Sequence, residues 1–124
     1  PATSYAELST VLAQRNITPI LIGTNEDMDA INIITHMCPR ALNLVGKTSI
    51  FQIASLGRSA QFCIGNDTGP MHIIALTKCP TTAIFSTASF PEKAAPKGKH
   101  IKLLIREKLE DLSLEEVISS IDRI

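Results

Sequence analysis

The sequence has no tryptophan, one tyrosine and four phenylalanines, and its twelve Lys+Arg are matched by twelve Asp+Glu over 124 residues. A nucleic-acid binder would show a basic excess or rings for stacking, so that class is excluded. Three cysteines, Cys38, Cys63 and Cys79, have no metal-ligand spacing and, being odd in number, cannot all pair. They rule out a disulfide scaffold and fit a reducing compartment, with Cys38 and Cys63 in apolar runs as small hydrophobes. No apolar run is long enough to cross a bilayer, and no signal peptide is visible. The three histidines, His36, His72 and His100, form no Ser-His-Asp, Cys-His or metal-ligand pattern. A complete catalytic set is therefore missing. What is present is an apolar fraction of 44%, enough for one domain over 1–124 that buries about two-thirds of its unfolded surface.

The order of elements is more informative. Ser4-Tyr-Ala-Glu7 has the form of a capping box, followed by Tyr5, Leu8, Val11 and Leu12 at helical spacing. The run 17–23 (ITPILIG) predicts a buried strand. Glu26, Asp27 and Asp29 open a second helix, where first-turn carboxylates suit the dipole, with Met28, Ile31, Ile34 and Cys38 as its stripe. Residues 41–46 predict a strand, and Ser49 with Gln52 caps a third helix carrying Ile50, Ile53 and Ala54. A strand over 60–65, a helix over 70–77 and strands over 81–86 and 101–105 follow, and Ser113 with Glu116 caps a last helix. Alternation of this kind predicts an α/β fold with a parallel sheet and helices on both faces. Right-handed crossovers then bring the loops at 23–27, 46–49, 65–69 and 86–91 to one edge, where such folds bind ligands.

Each loop admits two readings. Pro70 suits a first helical turn, and Gly69 before it lets an anion approach the free backbone N–H groups. Asp67 either caps that helix itself or accepts hydrogen bonds from sugar hydroxyls. Gly46-Lys47-Thr48 is no Walker loop, because residue 41 is Ala where that pattern needs Gly. Lys47 and Thr48 either line the ligand edge or simply begin a helix. Glu26 is a first-turn acid or a ribose ligand. His72 is a packed or capping residue at the start of the helix after Gly69. The basic residues Lys93, Lys97, Lys99, Lys102, Arg106 and Lys108 read as a solvated surface. A receiver-type signalling domain phosphorylated on Asp67 is an alternative, since Glu26-Asp27, Asp67 and Ser86-Thr87 imitate its order of residues. Against it stand the distance of the acidic pair from its strand and a last strand ending in Ile105-Arg106 without Lys-Pro.

The stretch GNDTGPMHIIA (65–75) resembles the signature of the ADP-heptose:lipopolysaccharide heptosyltransferases, the ninth family of glycosyltransferases. The run NLVGKTSIFQIASLGRSAQFCIGNDTG (43–69) and the turn PILIGTNED (19–27) resemble the flanking parts of that family. The resemblance covers residues 1 to about 105. It implies the Rossmann-like C-terminal half of a GT-B glycosyltransferase, the half that holds the nucleotide-sugar donor. The acceptor domain, its catalytic base and the first strand of the sheet would lie outside 1–124, leaving this piece inactive alone.

By the same resemblance, Thr68 and Gly69 meet the donor diphosphate, Asp67 the heptose hydroxyls, Glu26 the ribose, and Lys47 and Thr48 the adenine, with His72 beside them. It implies inverting transfer from ADP-heptose to lipopolysaccharide core with no bound metal or cofactor. The setting it implies is cytoplasmic in a Gram-negative bacterium, with the basic stretch 93–108 against anionic lipid of the inner membrane. One departure stands out: Phe85-Ser86-Thr87-Ala88 replaces the family's Phe/Tyr-Gly-Pro-Thr/Ser.

Overall fold

The computed structural model describes residues 2–23, 25–66, 69–86, 100–108 and 112–121. The chain divides into two compact units, Pro1–Thr48 and Ser49–Ile124. In the first, helix α1 (Ala2–Gln14) is followed by strand β1 (Ile20–Leu21), a 3-10 turn over Asn25–Asp27, helix α2 (Met28–Met37) and strand β2 (Leu42–Asn43). Ala6, Ile31, Ile34 and Val45 form its core, with Tyr5, Leu21 and Met28 packed on them.

Ser4 and Glu7 do not form the expected capping box. The helix already starts at Ala2, so both sit inside it on its exposed face. At its other end, Asn16 takes a left-handed φ of 61° and Ile17 N–H donates to Leu12 O at 2.9 Å. That closure suits asparagine, which tolerates the conformation better than most residues. Arg40 adds a tie by donating from Nη1 to Ala13 O at 2.8 Å.

The strands β1 and β2 run parallel, pairing Ile20↔Leu42 and Leu21↔Asn43. Both are shorter than the apolar runs 17–23 and 41–46 that contain them. Ile17 is still held by α1, and Pro19 has no N–H to give a ladder. Bonds of the same kind nonetheless flank the pair: Leu42 N–H reaches Pro19 O at 2.8 Å and Gly46 N–H reaches Gly23 O at 3.0 Å.

In the second unit, helix α3 (Ile50–Ser59) leads to strand β3 (Cys63–Asn66), helix α4 (Gly69–Leu76), strand β4 (Thr81–Ser86), strand β5 (Ile101–Arg106) and helix α5 (Leu114–Ser119). Both expected capping boxes form. Ser49 accepts from Gln52 N–H while Gln52 accepts from Ser49 N–H, and Ser113 and Glu116 do the same. The stripe of α3 is narrower than expected. Ile53 is buried, whereas Ile50 is 66% exposed and belongs to the turn just after the cap, short of the place where α3 meets α4. That meeting place is Gly57, where an added Cβ would lie 2.7 Å from Thr77 Oγ1 and 3.2 Å from Ile74 Cγ2.

The sheet β3-β4-β5 is parallel throughout. Its central strand β4 is buried from Thr81 to Phe85, as a strand covered on both faces must be. Successive side chains alternate between the faces. Ala83 and Phe85, with Cys63 and Ile105 beside them, meet Met71 of α4. On the opposite face Thr82 hydroxyl meets Ser120 hydroxyl at 2.9 Å, and Arg106 pairs with Glu116 of α5. The architecture is the expected Rossmann-like α/β arrangement of parallel strands and helices.

Candidate functional site

In parallel sheets the loops after the strands gather at the carboxyl edge, and each unit presents one such edge. In the first unit, the Gly46–Gly23 bond places the loop after β2 beside the loop after β1. Gly46 turns the chain at φ 71°, a region that favours glycine. It sends Lys47 out to solvent and leaves Thr48 half-buried. Across from them, the 3-10 turn splits its two acids. Asp27 folds back so that its Oδ2 lies 2.6 Å from where a Cβ on Gly23 would stand, while Glu26 points to solvent. Asp27 is the residue before α2, yet its side chain makes no capping bond there. Glu26, Lys47 and Thr48 thus share one edge, with the acid and the lysine both accessible.

In the second unit, β3 leads to α4 through 67–68, so the expected ligands Asp67 and Thr68 lie outside the described residues. Gly69 opens α4. It is exposed, and a Cβ built on it meets no atom of the described residues beyond its chain neighbours within 4 Å. Among the described residues, space is therefore open beside the Gly69 backbone where that helix starts. His72 sits half-buried one turn in, engaged with neighbouring groups. Next to β3, Asn66 reaches from Nδ2 to Ile84 O at 3.5 Å.

One residue at this edge escaped the reading of the sequence. Arg106 looked like part of a solvated basic stretch, but β5 runs one residue further than expected and sets Arg106 in register with Ser86. Its guanidinium pairs with Glu116 and also donates from Nη1 to Ile105 O at 2.8 Å. The hydrogen bond from Arg106, and then that from Ser113 N–H, holds the Glu116 carboxyl below the usual carboxylate range. The signal that could have found it is Glu116 itself: a capping carboxylate has a second oxygen free for a cation.

Among the described residues, no cysteine is poised as a nucleophile. The Cys63 thiol is pushed up to about 12, chiefly by burial and then by the neighbouring Cys79, so it stays protonated and inert. Among the described residues, no cluster of His, Cys, Asp or Glu is built to hold a metal ion, and no helix is long and apolar enough to cross a membrane. What the edges offer is candidate binding chemistry: the open Gly69 backbone at a helix start in one unit, an accessible acid and lysine in the other.

The profile of glycosyltransferase family 9 (heptosyltransferase) matches residues 1–119. Lipopolysaccharide heptosyltransferase 2 of Escherichia coli (strain K12) is 29% identical over 111 residues, 84% of this chain and 32% of that protein. Lipooligosaccharide heptosyltransferase 2 of Haemophilus influenzae is 28% identical over 118 residues, 89% of this chain and 34% of that protein. The solved E. coli ADP-heptose lps heptosyltransferase II matches 97% of this chain and 40% of its own at 25% identity, with a TM-score of 0.86. The E. coli heptosyltransferase WaaC with ADP shares the fold at a TM-score of 0.83 and 21% identity, over 96% of this chain and 38% of its own. The chain spans about a third of the length of the curated relatives it matches. The receiver alternative gains no support from these likenesses.

Proposed function

This chain belongs to glycosyltransferase family 9, the heptosyltransferases, and from that premise we propose that it is the donor-binding part of an enzyme that moves heptose from ADP-heptose to lipopolysaccharide core. The observation that carries the reading is Gly69. It opens α4, three residues after β3 ends, and among the described residues open space lies where its side chain would be. A diphosphate can approach backbone N–H groups there and gain from the helix dipole. The solved E. coli ADP-heptose lps heptosyltransferase II and WaaC with ADP, which share this fold over nearly the whole chain, support the choice of ligand.

In this reading Thr68 and Gly69 hold the diphosphate, Asp67 accepts from the heptose hydroxyls, and His72 lies alongside. Glu26 holds the ribose, and Lys47 and Thr48 lie near the adenine. Transfer is inverting. The acceptor hydroxyl oxygen bonds to the anomeric carbon as the bond from that carbon to the phosphate oxygen breaks, and ADP departs with the electron pair. The hydroxyl proton goes to a base outside this chain. Backbone donors at α4 stabilise the charge growing on ADP, which makes a metal unnecessary. The acceptor's membrane setting favours a peripheral contact with the inner membrane, through the basic stretch that includes Lys102, Arg106 and Lys108.

The test is calorimetric titration of ADP and then an ADP-sugar in EDTA, with wild type, Gly69→Val and Asp67→Ala. Metal-free binding that Gly69→Val abolishes is the expected result, with an unchanged melting temperature as the control that the variant is folded, since no atom of the described residues beyond its chain neighbours lies within 4 Å of the added Cβ. Asp67→Ala should weaken the ADP-sugar more than ADP. Binding that appears only on adding Mg²⁺, or that survives Gly69→Val unchanged, overturns the reading.

A further inference from the structure

Ile50 and Phe51 stand next to each other in the first turn of α3, directly after the Ser49 cap, at 66% and 84% exposure. The two differ in the way they face. Positions i, i+3, i+4 and i+7 of a helix share one side. Ile50 therefore falls on the stripe of Ile53, Ala54 and Gly57, and Ile53 and Gly57 are the buried residues of α3. Phe51 falls off that stripe. Phe51 is thus a solvent position, and Ile50 is an inward position left uncovered.

The helix beside it shows where the cover runs out. α3 and α4 pack together, and their C-terminal ends meet at Gly57 against Ile74 and Thr77. They therefore run in the same direction, one leading to the start of β3 and the other to the start of β4. At a rise of about 1.5 Å per residue, Ile50 lies about 10 Å before Gly57, and Gly69 about 7–8 Å before Ile74. Ile50 is thus level with the first turn of α4, about one helix spacing of 8–10 Å away. Gly69 has no side chain to lay over it, and among the described residues the space beside Gly69 is open. The uncovered isoleucine and the bare glycine border the same opening. Helical side chains lean toward the N-terminus, which inclines Ile50 over the carboxyl edge.

We propose that Ile50 is the apolar wall against which the base of the nucleotide-sugar donor packs, a specificity-determining residue beside the diphosphate end of the site. The chemistry selects that part of the ligand. Isoleucine has no hydrogen bond to give the hydroxyls of a sugar or the oxygens of a phosphate, but it gains from covering the face of a flat ring. A base joined through its ribose to a diphosphate at Gly69 has the reach to lie against a side chain on the neighbouring helix. It supplies the cover that the helix pair leaves out. The inference deepens the donor-binding reading and rests on it.

The experiment is calorimetric titration of ADP, in EDTA and at several temperatures, into the 124-residue chain and its variants Ile50→Ala, Phe51→Ala and Gly69→Val. Ile50→Ala should weaken ADP by about five- to tenfold and make the heat capacity of binding less negative, as lost apolar burial does. Phe51→Ala should change neither, and both exposed sites should leave the melting temperature near that of wild type. Unchanged ADP affinity in Ile50→Ala, with binding still lost in Gly69→Val, overturns this inference and leaves the donor-binding reading intact. Weaker binding at an unaltered heat capacity also overturns it, because Ile50 then shapes the site without touching the ligand. An equal loss from Phe51→Ala overturns the assignment of faces on which it depends. ADP that fails to bind wild type overturns the donor-binding reading and this inference with it.

Discussion

The two parallel ladders of this molecule are held in different ways. β1 and β2 pair over two residues each, and what fixes them lies around the strands: Arg40 on the end of α1, the left-handed turn at Gly46 and the flanking bonds that Leu42 and Gly46 N–H donate to Pro19 O and Gly23 O. In β3-β4-β5 the ladder itself is longer, and β4 is buried against helices on both sides. The lesson is that a strand of equal promise in sequence becomes a long or short strand according to what covers it. A long covered ladder organises one unit, turns and bonds flanking a short ladder the other. Both finish with a candidate binding edge, but one is a feature of loops and the other of a helix seated on a sheet.

That contrast is open to attack by mutation. Phe85→Ala empties the centre of the second unit, where Phe85 is 2% exposed against Met71 and Ala83, and should cost about 3–5 kcal/mol in urea unfolding. Gly46→Val acts on conformation instead, forcing a β-branched residue to φ 71°, and should cost roughly 1–2 kcal/mol in the same assay. A loss from Gly46→Val as large as that from Phe85→Ala would break the distinction. Arg40→Ala removes the bond to Ala13 O and should cost about 1 kcal/mol.

The smallest effect concerns pH. The lowered carboxyl of Glu116 means that the unfolded chain binds its proton first as pH falls. Its stabilisation is therefore complete above the ordinary carboxylate value and lost as pH drops through the folded one. Glu116→Gln should flatten that acid limb in pH-dependent melting. High salt should shrink the difference, because the pair is accessible to solvent.

Much of this was legible beforehand, for reasons that differ by residue. The run 81–86 was read to its limits because β-branched Thr81 and Thr82 lead into Ala83-Ile84-Phe85 between Pro80 and the polar Ser86. Ser49 with Gln52 and Ser113 with Glu116 were readable because a capping box is a purely local bond pattern. Ser4 with Glu7 has the same spelling and failed, since a pattern of four residues does not know whether the helix has already begun. The split between Glu26 and Asp27 was hidden because it depends on the space above Gly23. Arg106 was hidden because the register of β5 against β4 is a long-range fact. At the second edge, the motif that led to Gly69 also contains Asp67 and Thr68, whose placement lies outside the described residues.

The Gly57 contact has a mechanical meaning. α4 is a rod of eight residues, about 12 Å long. Its far end is fixed from two sides, by Gly57 against Ile74 and Thr77, and by His100 Nε2–H donating to Ala75 O at 2.8 Å. A rod clamped at one end transmits any tilt to its tip, and the tip of this one is Gly69. One methyl group at Gly57, which the packing cannot admit without movement, would therefore be felt as misalignment at the ligand end, a full helix length from the change.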